Sequence, residues 1–218
     1  MQFRDRKQAG RELAERLRTL QEKGALPHAV VLALPRGGVA VAREVAHMLD
    51  VPLDVLVVRK IGAPFQEELG VGAIAGDDPP LFDERALDRL GLSEAVLAET
   101  VEREQEEVRR RERRYRRGRP PVDLRGRTVI VVDDGLATGA TARAALRRVR
   151  RDAPEQVVLA VPVCSPEAVE LLRDEADDVV CLHQPEQFMA VGLWYEHFDQ
   201  LTDDEVLDAL HGSHTLPG

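Results

Sequence analysis

Five short apolar runs, at residues 29–34, 53–58, 128–132, 156–161 and 179–182, constrain this chain more than any other feature of its sequence. Each is too short to be a buried helix and too continuous to be a strand with one wet face, so each reads as a strand covered on both sides. Helical periodicity fills most of the intervals. Residues 5–23 carry Leu13, Leu17 and Leu20 on one face, residues 39–49, 139–151 and 167–174 read as further helices, and residues 203–210 as a short terminal one. Strands alternating with helices imply an α/β fold in three layers around a parallel sheet.

Two segments break this rhythm. Residues 61–80 are rich in Gly, Pro and acidic side chains around an apolar island at 71–75, and a connection of that length reads as a functional lid or a disordered segment. Residues 93–117 read as one long charged helix capped by Ser93. The stretch 109–119 holds eight arginines. Glu106–Arg110, Glu107–Arg111 and Glu112–Arg116 stand at i,i+4, which predicts a solvated helix laced by ion pairs rather than a nucleic-acid patch. The formal net charge of -9 argues the same way, because phosphate backbones demand basic surface. This helix also offers a surface for a second subunit, and a homodimer is the expected assembly. Cys164 and Cys181 lack ligand-like spacing and read as two small buried hydrophobes rather than a disulfide or a metal pair. His211 and His214 stand at helical spacing in what reads as a solvated tail. No apolar run reaches transmembrane length and the start is too polar for a signal peptide, so no membrane partner and a cytoplasmic location are expected.

The densest chemistry lies at residues 129–141. Four β-branched residues, Val129, Ile130, Val131 and Val132, lead into Asp133 and Asp134; a turn bearing Gly135, Thr138 and Gly139 follows, and a helix starts. Ligands bind at the carboxyl ends of strands in open α/β sheets. A helix start offers unpaired N–H groups and a positive dipole end, which together attract a phosphate. Adjacent carboxylates would repel that phosphate, but they suit sugar hydroxyls or a hard divalent cation. The turn lacks the Gly-Lys-Ser/Thr ending of a nucleotide-hydrolysing loop and the glycine spacing of a dinucleotide turn.

Residues 133–141, Asp-Asp-Gly-Leu-Ala-Thr-Gly-Ala-Thr, closely resemble the motif by which type I phosphoribosyltransferases bind 5-phosphoribosyl 1-diphosphate (PRPP): two acidic residues after a hydrophobic strand, then a loop ending Thr-Gly-x-Thr. The resemblance implies that Asp133 and Asp134 are the catalytic pair, holding the ribose hydroxyls and, directly or through water and those hydroxyls, Mg2+. It implies that Ala137, Thr138, Gly139, Ala140 and Thr141 cradle the 5-phosphate. Residues 34–38, Leu-Pro-Arg-Gly-Gly, look like the family's pyrophosphate loop, with Arg36, Gly37 and Gly38 as its binding residues and Pro35–Arg36 at the position of the family's cis bond. Arg59 and Lys60, at the end of the second strand, resemble a further basic pair for pyrophosphate. Residues 61–80 match the family's mobile loop in position, with residues 71–74 as the strand on its far side. Residues 188–198 resemble the hood of the 6-oxopurine enzymes, which implies that Phe188 stacks on a base, the Met189 backbone meets the base edge and Trp194 stands where those enzymes carry a base-reading Asp.

Taken together, these resemblances imply a magnesium-dependent transfer of phosphoribosyl from PRPP to a nitrogenous base with release of pyrophosphate. Ala137 occupies the place of an Asp in the 6-oxopurine enzymes, and the base, purine or pyrimidine, stays open. A non-catalytic sensor of PRPP or a nucleotide, and a hydrolase or phosphorylase of ribose phosphates, are the alternatives on the same cradle. The expected organisation is one domain over residues 1–218. Its core spans about residues 27–183, with a helical insertion at about 84–118 and a hood at about 184–218 that the helix at 5–23 joins.

Overall fold

The computed structural model describes residues 2–211. Strands β1 (Val30–Ala33), β2 (Leu53–Val55), β6 (Thr128–Val132), β7 (Gln156–Val163) and β8 (Asp178–His183) form a parallel sheet in the order β2-β1-β6-β7-β8. β1, β2 and β6 are buried throughout and β7 in all but its first residue, as their apolar runs require, whereas the edge strand β8 buries only Val180. Val31, Ala33, Ile130 and Val132 face one core, and Val30, Leu32, Val129 and Val131 face the other. Helices α1 (Arg6–Glu22) and α2 (Gly37–Leu49) cover the first face, α5 (Ala140–Arg150) and α6 (Pro166–Leu172) the second, so the three-layer expectation holds. Strand order reverses direction between β1 and β6. The loops leaving their carboxyl ends, residues 34–38 and 133–139, therefore diverge to opposite faces and leave a crevice between them.

Beyond β2 the structure departs from the sequence-based expectation. The second run does not continue as one strand to residue 58. It leaves the main sheet after Val55, and β3 (Val58–Ala63) opens a separate antiparallel sheet with β4 (Gln66–Ala75) and β5 (Leu81–Phe82). The segment expected to be a mobile loop is thus mostly paired strand. The pairing has a physical reason that its composition hides: β3 buries Ile61 and Ala63, and β4 buries Val71 and Ile74, in the same core as Leu97 and Val108 of a long helix.

That helix, α4 (Glu94–Arg116), follows the short α3 (Glu84–Leu90). Ser93 is its N-cap by position but makes no side-chain cap bond. Glu107 pairs with Arg111 at 2.6 Å and Glu112 with Arg116 at 3.1 Å, as spacing predicts, whereas Arg110 pairs with Glu107 rather than Glu106. Two arginines hold Glu107, and its carboxyl is lowered to about 2, first by the hydrogen bond from Arg110. The helix is packed rather than simply solvated. Arg116 reaches Asp54 of β2, Arg109 reaches Asp77, and buried Tyr115 donates to Asp203 of α7 (Asp203–His211) at 2.7 Å.

The cysteine expectation is also corrected. Cys164 and Cys181 form a disulfide, with Cα atoms 6.6 Å apart. β7 and β8 are neighbours, and Cys164 N–H donates to the His183 carbonyl, so a crossover of 17 residues brings the two thiols together where spacing alone gives no signal. His214 lies outside the described residues, as does the end of the expected hood beyond residue 211. Among the described residues no helix is long and apolar enough to cross a membrane.

Gly10 sets how closely α1 approaches α2. A Cβ there would lie 2.8 Å from the Val41 carbonyl oxygen and 3.1 Å from the Val41 Cα, and backbone atoms cannot rotate aside. Gly10→Ala is therefore expected to lower stability by about 1–2 kcal/mol despite the better helix propensity of Ala, because overpacking costs about 1–3 kcal/mol. Urea unfolding measures it; an unchanged or raised midpoint would contradict this packing.

Candidate active site

Two chain segments interlock at the crevice between β1 and β6. The Pro35–Arg36 peptide bond is cis, and Arg36 becomes the N-cap of α2 with no side-chain cap bond. Leu34 N–H donates to the Val132 carbonyl at 2.9 Å, carrying the β1–β6 pairing one residue past the end of β1. Gly37 and Gly38 then lie against the acids. A Cβ on Gly38 would sit 2.7 Å from the Val132 carbonyl oxygen, and one on Gly37 only 1.9 Å from Oδ2 of Asp134. The glycine pair is required for contact with the opposing loop.

Asp133 and Asp134 are half-buried. Burial raises the Asp133 carboxyl well above its usual range, and the neighbouring Asp134 charge adds to that. Burial also raises Asp134, but Arg6 opposes it: Nε donates to Oδ2 at 2.7 Å, with the two side chains only 10% and 14% exposed. The Tyr195 hydroxyl donates to the Asp134 carbonyl at 2.5 Å. Burial, then the Asp134 charge, pushes that phenol upward, so it is held as a neutral donor. Val191 closes over Gly135, where a Cβ would meet its side chain at 2.6 Å.

The turn after the acids is fixed from β7. Leu136 N–H donates to the Val163 carbonyl, Ser165 N–H donates to the Leu136 carbonyl, and the Ser165 hydroxyl donates to the Ala137 carbonyl at 2.5 Å. Gly139 then adopts φ 75°, a left-handed conformation that suits glycine, and serves as N-cap of α5 without a capping side chain. Asp5, Asp83 and Ser165 do cap α1, α3 and α6. The first N–H groups of α5 have no intrahelical acceptors; the Ala140 N–H donates to the exposed Thr138 hydroxyl in a long contact of 3.5 Å.

The predicted site residues do not all gather in one place. Asp133 and Asp134 stand together with Gly37 and Gly38, whereas Gly139 lies against Ala168 and Leu172. Thr138, Ala140 and Lys60 line a common cavity of about 830 Å³ that continues to Arg143 and Arg147, both paired with Glu175; Asp133 and Asp134 do not line it. Arg59 does not share this cavity. Its side chain leaves the opposite face of β3 and pairs with the buried Glu104 of α4 at 2.8 Å. Arg59 and Lys60 are successive residues of one strand, so alternation separates them. In the hood region Met189 is 84% exposed and Phe188 half-buried, while Trp194 stacks on His183 at 6.2 Å and packs beside Phe3 and Tyr195. Trp194 is thus part of a small apolar cluster. Sequence reasoning missed Arg6, because a lone arginine at the start of an amphipathic helix carries the pattern of a solvated side chain. It missed Ser165, which reads as a helix cap and is one.

Residues 2–196 match the family model of the phosphoribosyl transferase domain, and the chain belongs to that family. A Mycobacterium tuberculosis protein provisionally named a phosphoribosyl transferase is 48% identical over 213 residues, which make up 97% of this chain and 47% of that protein. The chain thus spans about half the length of the curated relatives it matches. Among solved structures, a Thermus thermophilus protein is similar at 45% identity and a TM-score of 0.81, covering 99% of this chain and 100% of that one. An Aquifex aeolicus protein shares the fold at 12% identity and a TM-score of 0.55, over 94% of this chain and 85% of that one.

Gly37→Ala forces the Asp134 carboxyl away from Arg6. It is expected to lower stability by about 3 kcal/mol, the scale for separating a largely buried ion pair. Chemical denaturation reads the loss, and an unshifted midpoint would show that Asp134 does not need Gly37 beside it.

Proposed function

We propose that this protein transfers the 5-phosphoribosyl group of PRPP to a nitrogenous base, releasing pyrophosphate, with Mg2+ as cofactor. The observation that carries this is the junction at the sheet's switch point. Two half-buried carboxyls and a helix start without a capping side chain stand a few residues apart on one turn, so sugar hydroxyls and a 5-phosphate can be held at the same time. Asp133 and Asp134 accept hydrogen bonds from the ribose hydroxyls. The backbone of residues 137–141, with the hydroxyls of Thr138 and Thr141, receives the phosphate. Gly37 and Gly38, which lie against the acids, are the proposed binding residues for the departing pyrophosphate together with Arg36 and with Lys60, which lines the cavity beside Thr138.

The donor set fits magnesium of a particular kind. No cluster of three or more His, Cys, Asp or Glu side chains suited to a metal occurs among the described residues. Two hard carboxylates remain, and Mg2+ is commonly held by one or two carboxylates together with substrate oxygens and water. Asp133 and Asp134 would hold it in that way, and it would supply positive charge to the pyrophosphate as the bond to C1 breaks. The chain's own residues place the sugar, balance charge and limit water at a carbon that becomes cation-like. Phe188 and the Met189 backbone remain the proposed contacts for the base. Trp194, packed on His183, is better suited to supporting that segment than to reading a base edge. The exposed Met189 leaves room for either a purine or a pyrimidine.

Incubation with PRPP, Mg2+ and a panel of purine and pyrimidine bases is the test. Pyrophosphate release that depends on one base and on Mg2+ is expected. Binding of PRPP without turnover for any base would overturn transfer and leave the sensor reading. Release of pyrophosphate with water alone would point to hydrolysis. Replacing both acids, Asp133→Asn with Asp134→Asn, is expected to weaken PRPP binding by at least about a hundredfold, the loss of two charge-assisted hydrogen-bonding groups.

A further inference from the structure

Arg6 is the charged side chain nearest the proposed ribose site that no expectation assigned. It lies 128 residues before Asp134 in the chain, and three contacts hold it. Nε donates to Oδ2 of Asp134 at 2.7 Å, and one terminal nitrogen donates to the Asp199 carbonyl at 2.7 Å. The guanidinium lies over the Phe198 ring, 3.9 Å from its centre, and the Arg6 side chain is only 10% exposed. The segment before it is strand-paired to the hood. Phe3 N–H donates to the Trp194 carbonyl, Glu196 N–H to the Phe3 carbonyl, and His197 N–H to the Arg4 carbonyl, at 2.8, 2.8 and 2.9 Å. Phe198 in turn stacks on Tyr195, whose hydroxyl is bonded to the Asp134 backbone.

We infer that Arg6 is a positioning residue that orients the Asp134 carboxylate for ribose hydroxyls, so that the chain's N-terminal segment completes the sugar subsite. The inference rests on the proposed PRPP reading, in which Asp134 receives those hydroxyls. Two features set the orientation. Oδ2 is trapped between Arg6 Nε on one side and the Gly37 backbone on the other, which fixes the torsion of the carboxyl. The guanidinium is meanwhile held by groups other than Asp134, namely the Asp199 carbonyl and the Phe198 ring, so it keeps its place when a sugar arrives. Arg6 engages a single oxygen of the carboxylate, which has a second oxygen with lone pairs of its own. A Lys ammonium has no planar fork with which to meet the carboxylate, the carbonyl and the ring together.

Calorimetry with two probes separates this role from a purely structural one. Inorganic phosphate occupies the turn at residues 137–141 alone, whereas ribose 5-phosphate adds the hydroxyls. Arg6→Ala is expected to weaken ribose 5-phosphate by about tenfold, the scale of one charge-assisted hydrogen bond, while phosphate affinity stays within about twofold. Arg6→Lys is expected to recover part of the loss. In an Asp134→Asn background, Arg6→Ala should add no further loss, since both act through one carboxylate. Should Arg6→Ala fail to fold, Phe198→Leu, which removes the ring beneath the guanidinium from a partly exposed site, should still weaken the sugar phosphate and not phosphate. Unchanged or tighter ribose 5-phosphate binding in Arg6→Ala overturns the inference, the tighter case showing that Arg6 blocks the subsite. Equal loss of both probes overturns it in favour of a structural role. Wild-type protein that binds neither probe, or Asp134→Asn that binds both normally, overturns the PRPP reading itself and this inference with it.

Discussion

The contact of two glycines with two carboxyls across the β1–β6 crevice governs the rest of this structure. Gly37 and Gly38 have no side chains because Asp134 and the Val132–Asp133 backbone occupy that space. The register that brings them together is set by strand pairing, Ala33 against Val132, and by the Leu34–Val132 hydrogen bond beyond it. A one-residue slip would turn the apolar faces of both strands to the wrong cores. Burial of the sheet thus enforces the geometry of the site.

Around that contact the chain adds closure from several directions. Residues 163–165 pin the turn from β7, Tyr195 and Val191 close over Asp134 and Gly135, and the N-terminal segment reaches Asp134 through Arg6. The antiparallel sheet of β3, β4 and β5 forms the far wall of the cavity beside Thr138 and Ala140. α4 backs that sheet, with Glu104 holding Arg59 and Arg109 holding Asp77. The arginines of α4 are consumed in large part by carboxylates of the same chain. A basic run on a helix is therefore no guide to a basic surface when acidic partners come from elsewhere in the fold.

What could be read from the sequence follows the range of the interactions involved. The five strands of the main sheet were legible because burial on both faces leaves a continuous apolar run, and the turn at 133–141 because its chemistry is local. The same holds for the cis bond at Pro35–Arg36, which came from the resemblance of a five-residue segment. Of the antiparallel sheet only the strand at residues 71–74 was legible, since β3 and β4 interleave Gly and charged residues with the few apolar side chains that pack on α4. The Cys164–Cys181 bond and the Arg6–Asp134 pair, separated by 17 and 128 residues, arise from tertiary placement. Lys60 and Arg59 looked equivalent as neighbours and were divided by strand alternation, one into the cavity and one onto Glu104. Local pattern cannot report which face of a strand a second sheet will cover.

The central claim is that one turn holds both ends of a ribose phosphate. The most direct measurement is a crystal structure of the protein soaked with ribose 5-phosphate and Mg2+. The account predicts the phosphate on the backbone N–H groups of residues 138–141 and the sugar hydroxyls on Asp133 and Asp134. A sugar phosphate bound elsewhere, or one whose hydroxyls point away from both acids, would contradict it.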